Sequence, residues 1–239
     1  MFREIKKKHI ILENRKPYPK EVCDYINELN KTDWIYSSLR LDGSMLTKNQ
    51  VGLILKGEFL QDAPLSEHSL VERYDFLYKT FINMLQMSAS LNIKVITTFA
   101  QKLSDDDSVG YRRKNPVLVS LSYNPPHPAE IDEQMELLMH WFYSDDVEKN
   151  PIKKAAGLHN RIIEIYPFDS FSEAVARASM YFFLMENGYP AFELDLSERE
   201  YNIAISEYLK KENTEPFYRA VEHSLFKKME ILLQLTAWE

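Results

Sequence analysis

The residues best placed to do chemistry lie in the stretch EIYPFDSFSEAVARASMYFFL, residues 164–184. This pattern is typical of one helix ending, a short loop, and a second helix beginning. The free amide N–H groups at the start of a helix form a natural site for an anion such as phosphate. Such sites usually depend on glycine, which lets the backbone approach the ligand closely. The loop contains no glycine, and an acidic residue, Glu173, stands at the start of the second helix.

The residue types around this helix start predict that the anion site is closed from within. Ser170 and Glu173 have the spacing of a capping box, in which two side chains bind the free N–H groups of the first turn. Phe171 adds bulk to the same space, and Glu173 adds negative charge. Two unit negative charges about 5 Å apart repel each other by roughly 3 kcal/mol at an effective dielectric constant of about 20. A phosphate would therefore be disfavoured here.

Other titratable residues near the loop offer weaker chemistry. A general base needs a pKa near the working pH, and tyrosine lies near 10, so Tyr166 is a poor base. The competing interpretation is that Tyr166 packs the loop against the core. Asp169 could bind Mg²⁺ together with Ser170, although a loop aspartate is more often solvated. His159 lies seven residues before Tyr166 and is more often a buried core histidine. No pair of histidines has metal-ligand spacing, so no metal site is predicted.

The elements that position this loop are predominantly helical. Apolar residues recur at helical spacing in most segments, which indicates about eight or nine helices. The stretch 110–128, GYRRKNPVLVSLSYNPPHP, breaks this pattern with two β-prone runs and several prolines, and it predicts one short β-hairpin. Capping boxes are predicted at three helix starts: Thr47 with Gln50, Ser69 with Glu72, and Ser197 with Glu200.

Composition excludes several classes of protein. The 239 residues carry a formal net charge of −7, which disfavours a surface that follows nucleic-acid phosphates. Cys23 is the only cysteine, so no intramolecular disulfide can form, which fits a reducing cytoplasm. Apolar runs are too short for a membrane span, and the N-terminus does not have the pattern of a signal peptide. We therefore expect a cytoplasmic protein with no membrane or nucleic-acid partner, and no DNA-binding domain after residue 239.

The order of elements resembles the Fic (Fido) family over about residues 36–225. The segment GYRRKNPVLVS resembles the family's flap, and AAGLHNRIIEIYPF resembles the helix that leads into its signature loop. The segments ENGYP and EREYNIAISEYL resemble the family's elements after that loop. This resemblance implies a mainly α, Fic-like helical bundle with one short β-hairpin flap. We expect an N-terminal segment, 1–35, with one amphipathic helix, then a Fic-like domain, 36–239, whose residues 36–57 resemble an inhibitory helix.

The signature loop of the family reads H-P-F-x-[DE]-G-N-G-R-x-x-R, and active members transfer AMP from Mg-ATP to a protein hydroxyl. The resemblance places Tyr166 at the catalytic histidine and Ser170 at the acidic Mg²⁺ ligand. The glycine loop and first arginine, which hold the phosphates, correspond to Phe171, Ser172, Glu173 and Ala174. The matching residues are Pro167, Phe168 and Arg177. The positions that support the fold are kept, whereas those that hold the nucleotide are changed.

Two further elements are implied by the resemblance. Many members carry an inhibitory helix with [ST]-x-x-x-E-[GN], whose glutamate pairs with the last signature arginine. The segment SSLRLDG implies an equivalent pair between Asp42 and Arg177, although Asp-Gly is also an ordinary turn signal. In the family the flap binds an extended target segment by strand addition. Val117, Val119 and Leu121 supply alternating apolar positions there, which implies a protein or peptide partner.

The sequence supports three hypotheses about function. The first is a Fic-like protein with a degenerate motif that binds or regulates a partner, transfers no AMP and needs no cofactor. The second is a divergent protein adenylyltransferase, or a related nucleotidyl or phosphoryl transferase, that uses Mg-ATP. The third is a component of a toxin–antitoxin pair that its partner neutralises. A homo-oligomer is compatible with all three.

Overall fold

The computed structural model describes residues 1–118, 121–144 and 149–237. Within these residues the chain is helical and contains no β-strand, so the predicted mainly α class is confirmed. None of the described helices has the length and apolar character needed to cross a membrane. The described residues form ten α-helices: α1 (Phe2–Asn14), α2 (Lys20–Leu41), α3 (Lys48–Leu55), α4 (Leu65–Gln86), α5 (Ile93–Ser104), α6 (Ile131–Tyr143), α7 (Pro151–Ile165), α8 (Ser172–Glu186), α9 (Glu198–Lys211) and α10 (Glu215–Leu235). A short 3₁₀ helix, Pro128–Glu130, directly precedes α6.

Residues 1–35, for which the sequence predicted one amphipathic helix, contain α1 and most of α2; the prediction rested on the apolar spacing of Val22, Ile26 and Leu29 in α2, so α1 is the helix that was missed. Only Ile5 and Leu12 of this helix are buried, and six of its 13 residues are charged. It packs against α10, and its Lys8 Nζ lies 3.3 Å from Glu230 Oε1. Such a helix is stabilised mainly by its packing against the rest of the protein. The apolar residues of these 13 positions do not recur clearly enough at helical spacing to predict it from the sequence.

The predicted helix starts are partly correct. Thr47 with Gln50 and Ser197 with Glu200 form the predicted capping boxes at α3 and α9. The third predicted box, Ser69 with Glu72, is wrong, because α4 begins after Pro64 and Ser69 therefore lies inside the helix. Helix α2 continues across the predicted domain boundary at residues 35 and 36, and that boundary stays a prediction.

Helix α8 forms the centre of the core. It is buried from Ser172 to Leu184 except at Glu173, as expected of a helix surrounded by protein on all sides. Helix α7 packs along it, and α4 and α5 contribute aromatic rings to its flank. The Phe81 ring centroid lies 4.9 Å from that of Phe99 and 5.7 Å from that of Phe182. This packing holds the start of α8 in a fixed place, and the candidate site lies there.

The predicted β-hairpin is replaced, in the described residues, by a single antiparallel bridge between Leu118 and Tyr123. Ser122 adopts a positive φ of 49°, so the chain turns where the sequence predicted a continuing strand. Val117 is 86% exposed and Leu121 is fully buried, so these two residues do not share one apolar face as predicted. Val119 lies outside the described residues.

Candidate functional site

A cleft of roughly 520 Å³ opens at the N-terminus of α8. The end of α2, the first turns of α4, the loop after α7 and the starts of α8 and α9 form its walls. Of the residues singled out from the sequence, the cleft brings together Asp42, Tyr166, Phe171, Ser172, Glu173 and Ala174. Ser170 is exposed and does not line the cleft.

The loop before α8 is held differently from the sequence prediction. Phe171 is the N-cap residue with a left-handed φ of 63°, and no side chain of the described residues caps this helix. Ser170 and Glu173 therefore stand one position too early to form a capping box, and that prediction is wrong. The Ser172 hydroxyl instead accepts a hydrogen bond from Phe168 N–H at 2.8 Å and donates one to Phe168 C=O at 2.9 Å. This closed ring fixes the loop against the buried Phe168.

Arg112 anchors the same loop from the other side. Its side chain is buried, its backbone N–H donates to Pro167 C=O at 2.9 Å, and its Nε donates to Tyr166 C=O at 2.7 Å. Its Nη1 also donates to Asn115 Oδ1 at 2.8 Å. A guanidinium at the C-terminal end of α7 is favoured by the free carbonyl groups there. Sequence reasoning missed Arg112, because nothing distinguishes it from the exposed Arg113 beside it.

The cleft disfavours negative charge. Burial, together with the nearby charge of Glu173, raises the pKa of the Tyr166 phenol to about 12. Burial also raises the pKa of the Glu173 carboxyl above its ordinary value, although the positive charge of Arg177 opposes this shift. At neutral pH the Tyr166 phenol is protonated and acts as a hydrogen-bond donor.

Donors for a metal or phosphate are few around the cleft. In the described part of the chain, no group of three or more His, Cys, Asp or Glu residues is placed to hold a metal ion. Arg73 lines the cleft, but its Nη1 donates to Leu103 C=O at 3.2 Å. Asp169 is exposed in the loop, as a solvated aspartate would be.

Arg177 lies below the cleft and forms an ion pair with Asp42, so the two residues that the sequence paired are in contact. The Arg177 side chain is 1% exposed and that of Asp42 is 19% exposed. Tyr74 donates a second hydrogen bond to the Asp42 carboxylate. Arg177 Nη1 also donates to the Tyr201 hydroxyl at 3.3 Å. The pair thus joins the end of α2 to α4, α8 and α9, whereas its inhibitory role stays a prediction.

His159 extends this network to α7. Its Nδ1 lies 3.1 Å from the side-chain oxygen of Asn160, which can only accept, so Nδ1 donates. Burial lowers the pKa of His159 to about 3, so the ring is neutral and its Nε2 accepts from the Tyr201 hydroxyl at 2.8 Å. The interpretation of His159 as a buried core histidine is therefore confirmed.

The substitution Asp42→Ala tests the energetic weight of the ion pair. It should lower the free energy of unfolding by about 3–5 kcal/mol, because it leaves the Arg177 charge buried without a counter-ion. Glu207→Ala is the matched control, since Glu207 pairs with Lys211 on the surface of α9, and it should have little effect. Urea unfolding of both variants measures this difference. Equal losses in the two variants would contradict the central role of the pair.

The pH dependence of stability tests the environment of Glu173. A carboxyl whose pKa is raised on folding destabilises the folded state when it ionises. This loss of stability is absent at pH values well below the ordinary pKa of 4.5, and it develops as the pH rises through the raised pKa of the folded state. Glu173→Gln removes the ionisation. The variant should gain stability over the wild type at about pH 7 and show little gain at about pH 3.5 in urea unfolding. An equal gain at both pH values would show that ionisation is not responsible.

Comparison with known proteins gives a consistent assignment. A model of the Fic/DOC family matches residues 87–184. The protein adenylyltransferase Fic of Nematostella vectensis is 27% identical over 212 residues, which cover 84% of this chain and 48% of that protein. The protein adenylyltransferase fic-1 of Caenorhabditis elegans is 24% identical over 200 residues, which cover 80% of this chain and 39% of that protein. The chain thus spans about half or less of the length of these relatives.

Solved structures show the same fold. A Fic domain containing signaling protein from Bacteroides thetaiotaomicron superposes with a TM-score of 0.82 at 21% identity, covering 97% of this chain and 96% of that one. Fic-1 from Caenorhabditis elegans superposes with a TM-score of 0.81 at 17% identity, covering 96% of this chain and 71% of that one. These structures share the mainly helical arrangement described above. The family match over residues 87–184 and the named relatives support a Fic domain in this chain, and the solved structures show that it shares their fold.

Proposed function

We propose that this protein uses its Fic domain as a binding or regulatory module and does not transfer AMP. The observation that carries the proposal is the position of Glu173, in the first turn of α8 and inside the cleft. A phosphate at this helix start would lie beside Glu173, where burial makes negative charge unfavourable and raises the pKa of the carboxyl. The N-terminus of α8 is therefore a poor place for the phosphates of ATP.

The chemistry of Tyr166, at the position of the family's catalytic histidine, supports the proposal. Proton abstraction from a target hydroxyl requires a group that is partly deprotonated at the working pH. With a pKa of about 12, the Tyr166 phenol is ionised in about one part in 100,000 at pH 7. Tyr166 can donate a hydrogen bond to a bound partner, but it cannot serve as an efficient base.

The remaining loop residues do not fit Mg-ATP. Ser170 offers only an exposed hydroxyl where the family resemblance implies a metal ligand. Phe171 occupies the left-handed position at the helix start with a bulky ring. Arg177, which could otherwise bind a phosphate, is already engaged by Asp42 and Tyr201. On this proposal the cleft requires no nucleotide cofactor.

We place a protein or peptide partner at the segment that resembles the flap, GYRRKNPVLVS. Arg112 joins this segment to the end of α7, and an antiparallel bridge pairs Leu118 with Tyr123. Val117 exposes most of its side chain, so it offers an apolar anchor to an extended partner strand. A short hairpin would complete the flap when such a strand is bound. A cytoplasmic location and the possibility of a homo-oligomer stay predictions.

One observation favours the alternative of a divergent adenylyltransferase. The cleft still encloses roughly 520 Å³, which is within the usual range for ligand pockets of about 300–1,000 Å³. The relatives named above are protein adenylyltransferases. If Mg-ATP were used, a base other than Tyr166 would have to be supplied, for example by the target protein.

Incubation with ATP labelled on the α-phosphate separates the two functions. The purified chain, alone and in a cell lysate, should transfer no label to protein, and Tyr166→Phe should give the same background. Tyr25→Phe is the matched control, because Tyr25 is exposed on α2, away from the cleft. Label that appears with the wild type and Tyr25→Phe but is lost with Tyr166→Phe would establish the transferase and refute the proposal.

A further inference from the structure

A second cavity, of roughly 660 Å³, lies where α2, α3 and α4 meet. Each of these helices contacts the other two, so the cavity lies at a junction of three helices rather than along the face of one. It shares no lining residue with the cleft at the start of α8. Its volume falls within the usual range for small-molecule sites, about 300–1,000 Å³.

The charged groups at this cavity do not balance. Lys31, Lys56 and Lys79 all line it. Lys31 Nζ lies 3.0 Å from Asp75 Oδ1, and Lys79 Nζ lies 2.6 Å from Asp75 Oδ2, so one carboxylate serves two ammonium groups. Lys56 Nζ lies 3.4 Å from Glu28 Oε1. Three positive charges therefore share two negative ones, which leaves a local excess of one positive charge on a chain whose formal net charge is −7.

The lysines can reach a ligand, whereas the shared carboxylate lies behind them. The side chains of Lys56 and Lys79 are 62% and 64% exposed. Asp75 does not line the cavity, and its side chain is only 16% exposed. The pair between Lys56 and Glu28 is exposed on both sides, and such a pair is easily exchanged for another partner.

The rest of the wall suits an apolar body. Tyr78 is buried, and Leu55 and Ile82 are partly buried against the core. Asn27 and Asn83 complete the wall with exposed amide groups, which carry no charge. A ligand that covers the apolar floor therefore meets uncharged groups there and ammonium groups at the rim.

We propose that this cavity binds a compact organic anion, a ring compound that carries one carboxylate. The ring packs on Leu55, Tyr78 and Ile82, and the carboxylate pairs with the ammonium groups of Lys56 and Lys79. Hydrogen bonds between ammonium and carboxylate groups are charge-assisted and stronger than those of a neutral ligand. A single carboxylate matches the excess of one positive charge, so monoanions are preferred over dianions.

The probes 2-naphthoate and 2-naphthamide test the proposal, because they share two fused rings and differ in the charge of one group. Equilibrium dialysis against the purified chain at low ionic strength measures both dissociation constants. 2-Naphthoate should bind about five- to tenfold more tightly. No saturable binding of 2-naphthoate up to about 1 mM would overturn the proposal, and equal dissociation constants for the two probes would overturn the role of charge.

Salt provides an independent check on the wild-type chain. Added sodium chloride at about 0.5 M screens exposed charges, so it should weaken the binding of 2-naphthoate and leave that of 2-naphthamide nearly unchanged. A preference for 2-naphthoate that does not fall with salt would contradict the pairing with exposed lysines.

Lys79→Gln locates the effect. It removes the excess positive charge, so the preference for 2-naphthoate should fall to about twofold or less. Lys211→Gln is the matched control, because Lys211 is 65% exposed, pairs with Glu207 across one helical turn as Lys79 pairs with Asp75, and does not line this cavity. The control should keep the full preference. A full preference in Lys79→Gln would contradict the assignment.

Asp75→Asn should act in the opposite direction. It removes the shared carboxylate and increases the positive excess, so 2-naphthoate should bind about threefold more tightly than to the wild type. A gain in affinity cannot result from a damaged fold, and circular dichroism checks that each variant is folded. Weaker or unchanged binding in folded Asp75→Asn would overturn the proposal that the charge excess at this cavity holds the ligand.

Discussion

The ion pair between Arg177 and Asp42 connects the core of this protein to its cleft. Arg177 projects from the central helix α8 and is 1% exposed, so its charge requires partners from neighbouring elements. Asp42 supplies the counter-charge from the end of α2, and Tyr74 on α4 and Tyr201 on α9 supply hydrogen bonds. Elements far apart in the chain must therefore be placed together for this one guanidinium to be stable.

The same arrangement sets the chemistry of the cleft. Because Arg177 is held by Asp42, its positive charge is largely neutralised before any ligand arrives. Burial then determines the behaviour of the two remaining groups, raising the pKa of Tyr166 to about 12 and that of Glu173 above its ordinary value. On the proposed function, an environment that already makes negative charge on these two side chains unfavourable is a poor place for a further negative charge such as a phosphate.

Much of the fold around the site could be predicted from the sequence. The stretch 164–184, which has the pattern of one helix ending, a loop and a second helix beginning, indicated both helices that flank the loop. The contact between Asp42 and Arg177 was inferred from a family resemblance, since two residues 135 positions apart show no local signal. Local rules failed where tertiary contacts decide the outcome.

Three failures share this cause. The helix start at Phe171 depends on a left-handed backbone that the sequence pattern of a capping box cannot reveal. The turn at Ser122 divides a run of β-prone residues because Leu121 is drawn into the core. Arg112 is buried and donates hydrogen bonds to carbonyl groups at the end of α7, a helix far from it in the sequence. In the sequence alone it is indistinguishable from a surface arginine.

The central proposal is that the start of α8 does not accept nucleotide phosphates, and calorimetric titration of Mg-ATP into the purified chain tests it most directly. With Glu173 in the first turn and Arg177 held by Asp42, no saturable binding heat should appear at nucleotide concentrations up to about 1 mM, which corresponds to a binding free energy of about −4 kcal/mol. A saturable isotherm with a dissociation constant in the micromolar range would contradict it, provided that binding occurs in the cleft. Binding in the cleft would be weakened when Phe171 or Ala174, which line the cleft wall, is replaced by tryptophan.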